Sequence, residues 1–301
     1  MKILITGGSG LVGKSLQEIL PSAIYLSSED YNLINYDEVD RMYQDHQPTH
    51  VIHLAARVGG ITENIAYPSE FFEENIFMNS NIVKLARKHN VKRLLTTLTS
   101  CSYPNVSDNY PLDEENLFDG PPAETNFSYA MAKRSLATQI NASNKQYNTK
   151  YNYIIPCNLY GENDNFNNGT KMHFITSLIK KIDDAKQNNE NHITLFGSGK
   201  PLRQFMHASD LAGIIKLIIK NDITECFNVA PPNQNLSIHE MAIQALDAVN
   251  VDFNIKYDKD KPDGQYNKEI CTKKLNSIFP NYKFLSLKDG ILKTIKMVKL
   301  K

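Results

Sequence analysis

Tyr129 and Lys133 stand four residues apart in the stretch YAMAK (129–133). On a helix that spacing puts both side chains on one face. A free phenol titrates at about 10, and a neighbouring ammonium favours its ionised form. The pair is therefore expected to pass a proton to or from an alcohol or ketone near neutral pH. Alone, a YxxxK spacing fits any amphipathic helix. It gains meaning beside TSCSYP (99–104), where Thr99 ends a strand-like run, VKRLLTTL (91–98), and Cys101 follows two residues later. A thiol has a reference value of about 8.5, close to the working range, and local charge can lower it further. Cys101 is thus a candidate general base, although from the residue alone it could equally be a small core side chain.

Two other uses of Cys101 are disfavoured. The four cysteines, Cys101, Cys157, Cys226 and Cys271, are widely spaced with no CxxC, which points to reduced thiols and a cytoplasmic setting rather than a disulfide framework. No metal is expected either. His46 and His50 are separated by Pro48, which argues against a shared helical face, and His50 and His53 fall on opposite faces of a strand.

A second chemical signature opens the chain. GGSGLVG (7–13) places Gly7, Gly10 and Gly13 between a strand and a helix. Glycines there permit a tight turn and close backbone approach to a pyrophosphate, which the helix N-terminus then attracts. At the end of the second strand the residues are Leu26-Ser27-Ser28, with no acid at the tip and Glu29 slightly late. Serines accept a 2′-phosphate without repelling it, so NADP(H) is expected over NAD(H).

These residues need a frame to hold them. KILIT (2–6), AIYLS (23–27), THVIHLAA (49–56), VKRLLTTL (91–98) and YNYIIPCNLYG (151–161) read as strands. Helical spacing fills 11–20, 36–46, 69–90 and about 129–146. Such alternation predicts an α/β fold, a Rossmann-type doubly wound parallel sheet with helices on both faces. Past Gly161 the alternation weakens, which suggests a smaller α+β C-terminal substrate domain. The expected division gives residues 1–165, with a returning segment around 206–230, to the cofactor, and 166–205 with 231–301 to the substrate. Hydrophobic content of 41%, charged content of 22% and a formal net charge of zero suit a globular protein. They give no reason to expect nucleic acid or an anionic membrane as partner. No leader is expected at Met1-Lys2, and LAGIIKLIIK is too short to span a bilayer.

Together the glycine cradle, the strand-end hydroxyl and YxxxK resemble the extended short-chain dehydrogenase/reductase superfamily. Within it the chain resembles the GDP-L-fucose synthase family, the GDP-4-keto-6-deoxy-mannose 3,5-epimerase/4-reductases. The stretches that carry the likeness are GGSGLVGK (7–14), QPTHVIHLAARVGG (47–60), SCSYP (100–104), GPPAETNFSYAMAKR (120–134), NLYGENDNF (158–166), GSGKPLRQF (197–205) and KPDGQYNK (261–268). The first and fourth identify the superfamily and the others are more specific.

The resemblance implies a site. Cys101 answers to the family's catalytic cysteine and His173, in TKMHF, to its catalytic histidine, a base and an acid on opposite faces of the sugar. Tyr129 and Thr99 would hold the C4 oxygen, with Ser100 a neighbouring hydroxyl, and Lys133 would bind the nicotinamide ribose. For NADP(H) the carried-over positions are Gly7, Gly10, Leu11, Val12, Gly13, Leu33, Leu54, Ala55, Ala56, Thr97, Leu98, Thr99, Ser100, Lys133, Pro156, Asn158, Leu159 and His173. For the GDP-4-keto-6-deoxy-sugar they are Asn158, Lys181, Phe196, Arg203 and Asp263. Lys181 and Arg203 suit a diphosphate, Phe196 a base or sugar, and Asp263 hydroxyl groups. Thr99, Lys181 and Phe196 depart from the more usual Ser, Arg and Trp. Members commonly form homodimers through the helices at 69–90 and YxxxK.

Four rival readings are weighed at this level. A 4,6-dehydratase of this fold places an Asp-Glu pair where Ser100 and Cys101 stand, and a simple 4-epimerase needs no acid–base pair for C3 and C5. A 4-reductase without epimerisation, or a silent NADP-binding protein on the same fold, would be separated by assaying NADPH oxidation and the product.

Overall fold

Leu4, Ile5, Val51, Ile52, Leu94, Ile154 and Ile155 are all completely buried, as strands covered on both faces by helices must be. The computed structural model describes residues 1–166, 172–261 and 263–298. Its first half alternates β1 (Ile3–Thr6), α1 (Leu11–Ile19), β2 (Ile24–Leu26), α2 (Tyr36–His46), β3 (His50–His53), α3 (Ile61–Ala66), α4 (Pro68–Lys88), β4 (Arg93–Thr97), α5 (Phe127–Tyr147) and β5 (Tyr151–Pro156). Then come β6 (Asn158–Tyr160), α6 (Phe174–Gln187), β7 (His192–Phe196), β8 (Leu202–Arg203), β9 (Phe205–His207), α7 (Ala208–Lys220) and β10 (Phe227–Val229). The chain continues through β11 (Leu236–Ser237), α8 (Ile238–Ala248), β12 (Asn254–Asp258), α9 (Lys273–Ile278) and α10 (Leu287–Val298).

The main sheet has six strands in the order β10-β5-β4-β3-β1-β2, every pair parallel. This is the Rossmann-type doubly wound α/β sheet that the alternation predicts. The strand order reverses at β1, so the carboxyl ends of β1 and β3 open a crevice of the kind that takes a dinucleotide. Local signals set the elements. Asn35 caps α2 by accepting from Asp37 N and Glu38 N, and Ser237 with Glu240 forms a capping box on α8. Pro68 sits at the first turn of α4, where its missing N–H costs nothing.

Two expected elements are cut differently. The strand at 49–56 stops at His53, because Leu54–Ala56 must leave the sheet to run against Gly7. The run 151–161 is two strands in two sheets. Pro156 offers no N–H to continue the ladder, and after Cys157 the chain pairs with β9 as β6. The expected helix at 69–90 begins at Pro68 and is preceded by the separate turn of α3.

A second hydrophobic core gathers Ile175, Ile179, Leu195, Met241, Leu246 and Ile291 from α6, β7, α8 and α10. β12 pairs in parallel with β7 along its whole length. Ile270 and Leu275 return to the larger core, and the Tyr282 hydroxyl donates to Asp210 O at 2.9 Å. The 263–270 segment ties the two parts together: Gln265 Nε2 donates to Pro104 O, and Asp263 accepts from Ser198 N. No helix among the described residues is long and apolar enough to cross a membrane.

Candidate active site

The loop between β1 and α1 is built for a close approach. Gly7 has φ +74°, and a Cβ there would lie 2.7 Å from Ala55 N. A Cβ on Gly13 would lie 2.4 Å from Gly7 O. Gly10 N donates to Gly7 O at 3.1 Å, and Gly10 caps α1 with no side-chain acceptor. The first N–H groups of α1, at Leu11, Val12 and Gly13, therefore point outwards for an anion. These residues fit a dinucleotide pyrophosphate. Leu33 packs at the core edge, with its carbonyl held by Asn81 Nδ2 at 3.1 Å.

At the tip of β2 the geometry corrects the sequence. An acid does reach the strand end: Asp30 turns back, and its Oδ2 accepts from Ser27 N at 2.7 Å and Ser27 Oγ at 2.9 Å. Those two bonds hold the Asp30 carboxyl below its ordinary range. The three-residue separation hid this, because only a turn brings Asp30 onto Ser27.

β4 ends at Thr97, beyond which the chain carries Leu98 and Thr99 out of the sheet, and Thr99 is extended. Its hydroxyl accepts from Cys101 N at 3.2 Å, starting a short helical turn over Ser100–Ser102. Ser100 is buried. Across from it, α5 presents Tyr129 and Lys133. The Lys133 ammonium donates to Thr97 O at 2.9 Å and sits 5.9 Å from the centre of the Tyr129 ring. Burial pushes Lys133 down to about 8. The Tyr129 phenol is pushed up, first by burial and then by the nearby Cys101. The expected lowering of Tyr129 is thus not seen: the ammonium is spent on the Thr97 carbonyl and does not touch the phenol oxygen.

Cys101 has a partner that the sequence did not reveal. Lys268 Nζ lies 3.3 Å from Cys101 Sγ. Burial pushes the thiol up, but the Lys268 ammonium, the Thr99 hydroxyl and the Arg203 guanidinium outweigh it and hold the thiol below its usual value. His173, the N-cap of α6, is also partnered. Its Nδ1 lies 3.0 Å from Asp164 Oδ2, and Thr176 Oγ1 donates to the same oxygen. Burial pushes His173 down, but the Asp164 carboxylate, with a smaller contribution from Cys101, raises it above the ordinary imidazole range. Lys268 and Asp164 both lie in stretches that carry the family likeness, yet neither pairing has a fixed sequence spacing to read.

The other positions separate into two groups. Asn158 joins the strand ends, its Nδ2 donating to Gln204 O at 3.1 Å, with Pro156 and Leu159 on either side. Arg203 lies within electrostatic reach of both Cys101 and Asp263, and its Nη1 donates to Leu202 O at 2.8 Å. Lys181 and Phe196 lie further out. Phe196 is 62% exposed, and the Lys181 ammonium sits 4.4 Å from its ring centre while donating to Thr194 O at 2.6 Å. Asp263 accepts from Ser198 N and Oγ at 2.6 and 2.8 Å, so it braces the turn at Gly197, whose φ is +76°.

Behind the site, a buried chain runs from Thr6 Oγ1 to His53 Nδ1 at 2.7 Å and from His53 Nε2 to Asn79 Oδ1 at 3.0 Å. Burial and the Lys133 charge depress His53 to about 3, so it is a neutral strut between β1, β3 and α4. Among the described residues no group of His, Cys, Asp and Glu could hold a metal ion.

Residues 3–230 match the NAD dependent epimerase/dehydratase family. A GDP-L-fucose synthase of Dictyostelium discoideum is 35% identical, over 96% of this chain and 92% of its own. A GDP-L-colitose synthase of Yersinia pseudotuberculosis is 34% identical, over 98% and 96%. The crystal structure of a GDP-L-fucose synthetase from Naegleria fowleri bound to NADP superposes with a TM-score of 0.88, at 31% identity over 98% of this chain and 92% of that one.

Proposed function

The chain belongs to the NAD dependent epimerase/dehydratase family, in the branch that holds the GDP-L-fucose synthases, and we propose that it converts GDP-4-keto-6-deoxy-D-mannose into GDP-L-fucose by 3,5-epimerisation and NADPH-dependent 4-reduction. The observation that carries this reading is the pairing of two proton-transfer groups beside one strand-end hydroxyl. Cys101, with Lys268 at its sulfur, and His173, with Asp164 at its ring, interact with each other electrostatically. A plain reductase or 4-epimerase has no use for them.

Protons on C3 and C5 are acidic because each carbon neighbours the C4 ketone. Tyr129 and Thr99 would hold the C4 oxygen and stabilise the enolate formed when Cys101 removes one of those protons. His173 would return a proton from the other face, which inverts the centre. The cofactor supplies the hydride for C4, and Tyr129 gives its proton to the resulting alkoxide. A phenol raised by burial suits that step, since a donor must begin protonated. The glycine turn at Gly7–Gly13 and Lys133 suit the cofactor's pyrophosphate and nicotinamide ribose. Arg203, Lys181 and Phe196 suit the diphosphate and base of the sugar nucleotide.

The test is product identification by NMR after incubation with GDP-4-keto-6-deoxy-mannose and NADPH in D2O. The expected product is GDP-L-fucose with deuterium at C3 and C5. NADPH oxidation without that deuterium would leave a 4-reductase, and no oxidation with this substrate would remove the reading. A cytoplasmic setting and a homodimer through α4 and α5 belong to the same proposal. Phe77, on α4, is 52% exposed, an apolar ring suited to a second copy. Light scattering on wild type and Phe77→Asp would show a dimer and its loss.

A further inference from the structure

We propose that Lys268 and Asp164 are matched counter-ions, Lys268 keeping Cys101 as the thiolate base and Asp164 keeping His173 as the imidazolium acid, so that the resting site is already charged to begin an epimerisation. The proposal deepens the function given above and rests on it. Neither Lys268 nor Asp164 need touch the sugar's reacting carbons for this: each is a positioning residue.

Lys268 is delivered by a braced segment. Asp263 is fixed to Ser198, and Gln265 Nε2 donates to Pro104 O and Asn105 O, both at 3.0 Å. Ile270 N donates to Gln204 Oε1 at 2.9 Å. The segment is thereby tied to the residues just after Cys101, with the ammonium 3.3 Å from the sulfur between those anchors. Among the described residues no carboxylate pairs with Lys268. The groups that act on Cys101 from the packed elements are Lys268, Arg203 on β8, His173 before α6, Tyr129 on α5 and the Thr99 hydroxyl. Of these, three can be cations and none is a carboxylate.

His173 faces the opposite sign. Asp164 is 6% exposed, and its carboxylate also accepts from Thr176 Oγ1 and Asn165 N. It is held in place whether or not His173 is charged.

The chemistry explains why both counter-ions are needed. A thiol of about 8.5 and an imidazole of about 6.5 are both mostly in the wrong form at neutral pH, the base protonated and the acid not. With the counter-ions the thiolate takes the proton of a carbon beside the ketone, and the C–H electron pair moves into the enolate. The imidazolium then gives its proton to the opposite face of the same carbon. The step leaves a neutral thiol and a neutral imidazole. One proton passing from sulfur to nitrogen through solvent restores the starting state for the second centre. No oxidant or reductant is involved.

The test reads Cys101 alkylation by iodoacetamide against pH on the resting enzyme, followed by peptide mass spectrometry. Wild type, Lys268→Gln and Lys268→Arg are compared, with Cys101→Ser as the blank and NADPH binding as the check that each variant is folded. Lys268→Gln is expected to slow alkylation at pH 7 by about tenfold and to move the profile to higher pH, as thiolate loss requires. Lys268→Arg restores the profile. In turnover, Lys268→Gln slows deuterium entry at C3 and C5 through kcat, with recovery at higher pH. Asp164→Asn leaves alkylation nearly unchanged but makes exchange fall away at lower pH than in wild type. An unchanged alkylation profile in Lys268→Gln, with only a raised KM for the sugar nucleotide, would make Lys268 a phosphate ligand and overturn the proposal. Alkylation needs no substrate, so that outcome is distinct from a failure of the assigned reaction.

Discussion

Replacing Gly13 and Gly10 one at a time by alanine separates two demands on the loop after β1. At Gly13 the new methyl would stand 2.4 Å from Gly7 O and 2.6 Å from Gly8 O. Both are backbone atoms of a turn locked against Ala55 and Tyr25, so neither can rotate away. Reaching ordinary contact means parting α1 from the turn by about 1 Å, and overpacking of this kind costs about 1–3 kcal/mol. For a chain this long each kcal/mol lowers Tm by about 2 °C, so a fall of about 2–6 °C is expected. The same displacement pulls the α1 N–H groups off the pyrophosphate. Losing one charge-assisted hydrogen bond at about 1.5–3 kcal/mol weakens NADPH by about 10–100-fold. At Gly10 the methyl meets only Gly7 O at 3.3 Å, and φ is −81°, so the fold tolerates it. Gly10→Ala is expected to lose cofactor affinity while keeping Tm within about 1 °C, since a substitution free of such clashes usually stays within about 0.5 kcal/mol. NADPH fluorescence titration and thermal denaturation read the two quantities. If Gly13→Ala bound NADPH normally, or if Gly10→Ala were as unstable as Gly13→Ala, the cradle geometry would be wrong.

Three further outcomes bear on the site. Tyr129→Phe keeps the ring but removes the proton donor, so NADPH oxidation with substrate should drop by about 10²–10⁴-fold with NADPH affinity kept; near-normal turnover breaks the assignment. Lys133 is depressed to about 8 by burial, so its ammonium is complete below that pH and lost above it. The rate profile between pH 6 and 10 should therefore fall on its alkaline side near 8, and a level profile to pH 10 would remove Lys133's charge from the reaction. Glu162 is held at about 2, first by His207, whose Nε2 lies 3.0 Å from its carboxylate, with Lys293 Nζ at 3.8 Å. Its folded value lies below the unfolded one of about 4.3, so its stabilisation is present above that pH and lost as pH falls towards 2. Glu162→Gln should cost about 1.5–3 kcal/mol at pH 7, with the gap to wild type closing in acid denaturation curves; a gap independent of pH would contradict this.

What the sequence determines is local and periodic. Strand-like runs such as KILIT and VKRLLTTL alternating with helical stretches predict a parallel sheet, and glycines at 7, 10 and 13 between a strand and a helix suit a phosphate turn. The i, i+4 spacing of Tyr129 and Lys133 fixes them on one face because helical pitch is the same everywhere. Tertiary structure decides which charges meet. Lys268 is 167 residues from Cys101, and only the return of the 263–270 segment to the end of β4 brings its ammonium to the sulfur. Asp164 and His173 are nine apart, a spacing with no helical or strand meaning. Lys133 lies beside Tyr129 as its spacing demands, yet a carbonyl 36 residues away claims the ammonium and burial governs the phenol. Proton affinities depend on distances of a few ångströms and on exclusion of water, and neither is fixed until the sheet edge and the second core have closed on each other.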